Sequence, residues 1–153
     1  MLDVDGVVAD VRHRLHHLAS RPKNWDAFFA GAAADPPLAR GVELASRLSA
    51  DHDVVWLTGR PERLRQVTGD WLRHQELPAG SLHMRANGDF RPAREIKLAV
   101  LVSLAATRSI AIMVDDDPAV VTWVGAAGVP TQLADWVPYD GGLRTAQERD
   151  GRT

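Results

Sequence analysis

The chain has 153 residues, the size of one domain, and its 45% apolar and 25% charged content excludes disorder, collagen and a coiled coil running the whole length. A formal net charge of −2 and a pI near 6.3 exclude a protein that holds nucleic acid by bulk electrostatics and leave only a local basic site. The lack of cysteine removes disulfides, thiol nucleophiles, thiolate zinc sites and iron–sulfur clusters together.

Residues 1–4 form an apolar run that stops at the acidic turn Asp5-Gly6, and only Met1 and Leu2 precede Asp3, so a short first strand is expected. From about 12 to 37 the pattern is too long for a simple connection, and Trp25, Phe28 and Phe29 predict a small helical insertion over the sheet edge. Those rings could stack a base, although packing within the insertion is the expected role. His13 and His17 would share a helix face, but no further ligand is placed to complete a metal site with them. Val42, Leu44, Ala45 and Leu48 predict a helix over 41–50, and Asp53-Val54-Val55-Trp56-Leu57 a strand ended by Thr58-Gly59-Arg60-Pro61. Pro61 then opens a helix over 61–74, followed by a weaker strand over 81–84 and a helix over 94–105. The run 109–114 predicts a strand that ends in Asp115-Asp116-Asp117-Pro118, then a helix over 118–125 stopped near Gly128, and a strand over 129–133. Residues 139–153 read as a polar tail.

Continuous apolar runs alternating with helical patterns select an α/β fold with right-handed crossovers and a mostly parallel sheet, in one domain over 1–138. The N-terminus has no basic and apolar leader, and no window reaches the ~20 apolar residues of a membrane span. With the missing cysteines, this places the chain in the cytoplasm, with no membrane partner.

Ligands of open parallel sheets bind at the carboxyl ends of the strands, so the polar turns after three of these strands should converge. Asp3 and Asp5, two apart, emerge on one side of the first strand end, and Gly6 allows a sharp turn there. Thr58 offers a hydroxyl and Gly59 an unobstructed amide, while Asp115, Asp116 and Asp117 stack negative charge at another strand end. Such a cluster needs a cation or a shared proton. An all-oxygen set suits Mg2+, beside which one carboxylate can attack phosphorus and a second can protonate the leaving alcohol.

These residues resemble the haloacid dehalogenase (HAD) superfamily of aspartate-nucleophile phosphatases. Asp3-Val4-Asp5-Gly6-Val7-Val8 is similar to its first motif, Thr58-Gly59-Arg60 to its second, helical Lys97 to its third and Asp115-Asp116 to its fourth. The resemblance implies a Rossmann-like three-layer sandwich with a small helical cap insertion at about 12–37. It implies that Asp3 is the nucleophile and Asp5 the general acid and then base. Thr58 would bond a phosphoryl oxygen, and Lys97, one of only two lysines, would balance its charge. Asp3, the main-chain carbonyl of Asp5, and Asp116 would hold Mg2+, with Asp115 as co-ligand or just outside the coordination sphere. Val7 stands where these families commonly carry Thr, which removes a hydroxyl but no catalytic atom.

A narrower resemblance, to the 3′-phosphatase domain of polynucleotide kinase-phosphatases, is carried by Thr58-Gly59-Arg60 with Trp71-Leu72-Arg73, Leu82-His83-Met84-Arg85, Gly88-Asp89-Phe90-Arg91 and Asp115 to Trp123. It implies a phosphorylated substrate, in particular 3′-phosphorylated DNA or RNA ends, with Gly59, Arg60, Arg85 and Arg91 as substrate contacts. No GxxxxGK[ST] phosphate loop is present, so ATP-dependent 5′ phosphorylation is not expected. Two other readings stay open: the same chemistry on small nucleotides or sugar phosphates, and an inactive relative that binds phosphorylated ligands. The oligomeric state is not legible.

Overall fold

The computed structural model describes residues 1–19 and 21–138; the tail expected over 139–153 lies outside them. The strands are β1 (Val54–Pro61), β2 (Gly80–Arg85), β3 (Met113–Asp115) and β4 (Thr131–Leu133). The α-helices are α1 (Trp25–Ala30), α2 (Ala39–Ser49), α3 (Arg65–His74), α4 (Ala93–Ala105) and α5 (Pro118–Ala126). Both named strand pairs are parallel. The N-terminal segment joins them, because Leu2 bridges in parallel to Trp56 on one side and to Val114 on the other. The sheet therefore runs β2, β1, N-terminal segment, β3, β4. Its central ladder is short but regular: Leu2 N donates to Val55 O at 2.9 Å, Leu57 N to Leu2 O at 2.9 Å and Asp3 N to Val114 O at 3.0 Å.

Side chains alternate across this sheet as the two-residue period of a strand demands. Leu2, Val54, Trp56 and Val114 face a core closed by Leu44 and Ala45 of α2 and Trp71 and Leu72 of α3. Met1, Val55, Leu57 and Met113 face the opposite core, closed by Ala93 and Leu101 of α4 and Val120 and Val124 of α5. Helices on both faces of a parallel sheet make the expected three-layer α/β sandwich.

Several boundaries differ from the sequence expectations. β1 continues through the Thr58-Gly59-Arg60 turn to Pro61, with a register shift between the Thr58–Met84 and Pro61–Arg85 pairs that kinks the strand without ending it. Pro61 thus closes a strand rather than opening a helix; a 3-10 turn over Glu62–Leu64 follows, and α3 begins at Arg65. The weak strand over 81–84 is a full six-residue edge strand. The strand expected over 109–114 starts only at Met113, where pairing with Thr131 of β4 begins.

Residues in the stretch expected to be an insertion form a 3-10 turn (Arg12–Leu18), α1 and a second 3-10 turn (Gly31–Ala34). Val11, Leu18, Trp25, Phe28 and Phe29 pack into a small core of their own. Phe28 lies edge-on to both other rings, with centroids 5.5 to 5.7 Å apart. The expected internal packing of these rings is what the structure shows. Among the described residues no helix is long and apolar enough to cross a membrane.

Candidate active site

In a parallel sheet all carboxyl ends lie along one edge, and the N-terminal segment, β1 and β3 deliver Asp3, Thr58 and Asp115 there. The loop after Asp3 is fixed by burial: Val4, Val7 and Val8 have no exposed surface. Val4 O accepts from Val8 N at 3.0 Å and Ala9 N at 2.8 Å, which folds the loop back on itself. Gly6 has φ 73°, and a Cβ there would lie 2.0 Å from Asp116 Oδ2. Glycine is what lets the Asp116 carboxylate approach the first loop.

One oxygen from each of Asp3, Asp115 and Asp116 lies within 4.8 Å of the others, and all three residues are buried. Lys97 reaches in from α4 and donates from Nζ to Asp3 Oδ2 at 2.8 Å and to Asp115 Oδ2 at 2.6 Å. Asp3 Oδ1 accepts from Val4 N at 2.8 Å and Asp115 Oδ1 from Asp117 N at 3.0 Å. Asp116 Oδ1 is buried without a hydrogen-bond partner. Burial pushes Asp3 up to about 7, with Lys97 opposing and Asp115 and Asp5 reinforcing the rise. Burial also raises Asp115 against the pull of Lys97, and lifts Asp116 well above the usual range with the help of the Asp115 and Asp3 charges. Burial disfavours the Lys97 charge, yet Asp115 and Asp3 outweigh it and hold the ammonium protonated. Three carboxylates against one ammonium leave an excess of two negative charges when all are ionised, and an orphaned oxygen among them. That is the condition a divalent cation relieves.

Asp5 belongs to a second group. Arg60 donates to it from Nε at 3.0 Å and from Nη2 at 2.5 Å, and Arg14 from Nη2 at 3.0 Å. Asp35 braces both arginines, accepting from Arg14 Nε at 2.7 Å and Arg60 Nη2 at 2.6 Å. Burial alone would raise the Asp5 pKa, but Arg60 and Arg14 outweigh it and hold the carboxylate below its ordinary value. Trp71 Nε1 fixes the Asp35 main chain through its carbonyl at 2.8 Å. Arg14 and Asp35 were not singled out by sequence, because both fall inside the irregular insertion. The one local signal was an acidic residue immediately before Pro36-Pro37, which makes an ordinary loop look sufficient.

Thr58 is buried, and its Oγ1 accepts from Arg60 N at 3.2 Å. Gly59 gives its carbonyl to Arg85 Nε at 3.2 Å. Arg85 is buried and donates Nη1 to the carbonyls of Asp89 and Arg91 at 3.0 and 2.7 Å, while its Nη2 has no partner. Arg91 lies at the surface, paired with Asp89 at 2.6 Å. Arg60 is fully buried, its guanidinium directed at Asp5, Asp35 and Thr68. His13 bonds Asp35 Oδ1 at 2.8 Å and His16 bonds the His13 carbonyl at 3.0 Å. His13 and His16 thus have protein partners, and no histidine joins a metal-type cluster among the described residues.

A family model for the phosphatase domain of polynucleotide kinase PNKP matches residues 1–134. No curated protein matches the chain. Among solved structures, a chain of a Pnkp1/Rnl/Hen1 complex is similar at a TM-score of 0.73 and 19% identity, over 90% of this chain and 45% of that one. A chain of the Pnkp1/Rnl/Hen1 RNA repair complex is similar at 0.74 and 20% identity, over 92% of this chain and 42% of that one. The chain therefore spans less than half the length of either solved chain, and at these identities the likeness is one of fold. With the family match covering the three strand ends, the helix that carries Lys97 and the buried acidic group they enclose, the chain belongs to the family of polynucleotide kinase PNKP phosphatase domains, which are HAD-type phosphatases.

Proposed function

We propose that the chain is a Mg2+-dependent phosphomonoesterase that works through an aspartyl-phosphate on Asp3 and removes 3′-phosphates from nucleic-acid ends. The observation that carries this is the buried Asp3, Asp115 and Asp116 group, closed on one side by Lys97 and holding an unpartnered Asp116 oxygen. The all-oxygen donor set fits Mg2+, with Asp3, Asp116 and the Asp5 carbonyl as ligands and Asp115 as co-ligand or just outside. Bound there, the ion would offset the charge of the carboxylates and of the phosphoryl oxygens.

The protein's own groups divide the remaining work. Asp3 attacks phosphorus and the ester bond to the leaving alcohol breaks. Thr58 Oγ1 accepts from the Arg60 amide, so its own proton is available for a phosphoryl oxygen. Lys97 balances charge on the phosphoryl group from the side of Asp3 and Asp115. Asp5 protonates the departing alkoxide and then takes a proton from the water that opens the acyl phosphate. In the structure its two arginines favour the ionised form needed for the second step. A dianionic phosphoryl group seated beside Asp5 would oppose the pull of Arg60 and Arg14, raise the Asp5 pKa and let it carry the proton needed for the first. Among the arginines, Arg85 with its unpartnered Nη2 is better placed for substrate than Arg60, which is closed off by Asp5 and Asp35, or Arg91, which is paired with Asp89.

The description of one structural neighbour as an RNA repair complex supports nucleic-acid ends as the substrate class and protein partners in use. The absence of cysteine supports a cytoplasmic setting. The test is phosphate release, with Mg2+ and with chelator, from 3′- and 5′-phosphorylated oligonucleotides, mononucleotides and an aryl phosphate. Turnover that needs Mg2+ and Asp3 and favours the 3′-phosphate supports the proposal. Preference for small phosphates moves the substrate to metabolites, and turnover retained in Asp3→Asn refutes the mechanism.

A further inference from the structure

Beside the motif that ends at Pro61 lies a cleft of about 240 Å3, walled by Trp25 and Phe29 of α1, by Arg63, and by Arg85 and Phe90. It is distinct from the carboxylate group, none of whose members lines it. Its volume falls below the roughly 300–1,000 Å3 of pockets that enclose a drug-sized ligand, so it takes one ring system and not a whole nucleotide. Its charges cancel: Arg63 and Arg85 stand against Asp26 and Asp89. A second phosphate would find no net attraction there. A neutral, flat ring would find aromatic edges, with Arg63 lying 5.0 Å from the Phe29 ring centroid and Phe90 58% exposed on the rim.

The other half of the argument is Arg85. Its residue surface is only 3% exposed, and three of its donor contacts go to main-chain carbonyls of Gly59, Asp89 and Arg91. That leaves the buried Nη2 with no acceptor, a cost of about 1–3 kcal/mol unless a ligand supplies one. The exocyclic carbonyls and ring nitrogens of nucleobases are such acceptors.

We infer that this cleft is a base site: it holds the nucleobase of the terminal nucleotide on the exposed Phe90 ring, edge-on to Trp25 and Phe29, with Arg85 at the base edge. This rests on the proposed action on nucleotide phosphates and adds a specificity to it. Recognition is expected to end at one base, because among the described residues Arg47, Arg65, Arg73 and Arg91 each lie against a carboxylate.

The experiment is calorimetric titration of the Asp3→Asn protein with adenosine 3′-monophosphate, a 3′-phosphorylated tetranucleotide, unphosphorylated adenosine and ribose 3-phosphate, repeated in Phe90→Ala, Arg63→Ala and the control Val102→Ala on α4. The expected result is that the mononucleotide binds more tightly than ribose 3-phosphate, and that this preference falls at least about 5-fold in Phe90→Ala and in Arg63→Ala, the low end of losing one base–aromatic stack. The tetranucleotide should gain less than about 3-fold over the mononucleotide. Equal binding of mononucleotide and ribose phosphate, or a preference unmoved by both rim variants, overturns the base site. If adenosine binds in a Phe90-dependent way while the native chain hydrolyses no phosphoester, the base site stands and the phosphatase proposal falls. Base-indifferent hydrolysis gives the reverse.

Discussion

Asp116→Asn offers the sharpest test of the acidic group, because the structure makes the substitution stabilise the metal-free protein while abolishing its response to Mg2+. Asp116 is buried, carries an unpartnered oxygen and faces the Asp115 and Asp3 charges, so its ionised form is disfavoured. A carboxylate whose folded pKa lies above its unfolded value binds more protons in the folded state, so stability falls as pH rises between the two values. Asp3, raised to about 7 from roughly 3.9 unfolded, alone costs up to about 4 kcal/mol above pH 7 when no cation is bound. Metal-free protein should therefore lose stability from pH 4.5 to 7.5, and Asp116→Asn should flatten part of that slope.

On the proposed reading, Mg2+ should reverse the effect. At 100 times its dissociation constant at pH 7.5 it should add about 2.7 kcal/mol, or roughly 5–11 °C in Tm for a domain near 150 residues. At pH 5 the ion must displace the Asp3 proton, which weakens binding roughly 100-fold and leaves about 0.4 kcal/mol at the same concentration. Thermal unfolding of both proteins at pH 5 and 7.5, with Mg2+ and with chelator, measures all of this. A Mg2+ shift in Asp116→Asn as large as in the native chain, or a lowered Tm of metal-free Asp116→Asn, would refute the reasoning.

Asp35→Ala removes the shared acceptor of two buried arginines and should cost about 3–5 kcal/mol in urea unfolding, with Asp35→Asn losing less; a loss under 1 kcal/mol would mean that the arginines find other acceptors. Lys97→Met removes the cation that lowers Asp3, so the acidic limb of kcat/KM should move to higher pH and activity should drop at least about 100-fold; an unmoved limb would separate Lys97 from the nucleophile. Gly41→Ala puts a Cβ 1.7 Å from the Val7 carbonyl, so α2 must shift off the first loop, at a cost of at least the roughly 1–3 kcal/mol typical of overpacking; native stability by denaturant unfolding would show that the loop yields.

The strand ends were legible because their apolar runs are continuous and stop at polar turns, so Asp3, Thr58 and Asp115 could be brought to one edge before any coordinates. Periodicity says nothing about a residue that acts across the chain. Arg14 reaches Asp5 over 9 positions and Asp35 over 21, from a 3-10 turn in which it takes a buried place between Val11 and Leu18 that sequence patterning assigns to an apolar residue. The kink in β1 was invisible for a related reason: Gly59 and Pro61 are turn formers by sequence, and only the β2 neighbour shows that pairing resumes at Arg85. The edge strand β2 read as weak because three of its six residues are half-buried on an open face and two more are exposed.

The two charged groups of the site also differ in what they need. Asp5 and Asp35 are matched by Arg14 and Arg60, two charges against two, and every polar contact among them lies within the protein. Among the described residues, Asp3, Asp115 and Asp116 are matched by Lys97 alone and are left in deficit. The Asp5 half is therefore organised by folding, whereas Asp3, pushed up to about 7, is only partly ionised near neutral pH without added positive charge. Chelation should accordingly perturb NMR signals at Asp3 and Gly6 while sparing those at Arg14 and Asp35. On the proposed mechanism, the acid–base group would be held by its arginines before substrate arrives, and the ion that screens the incoming phosphoryl group would also favour the ionised nucleophile. A protonated Asp3 would be a poor nucleophile, so on the proposed mechanism the charge deficit would hold back reaction below neutral pH until a cation is in place.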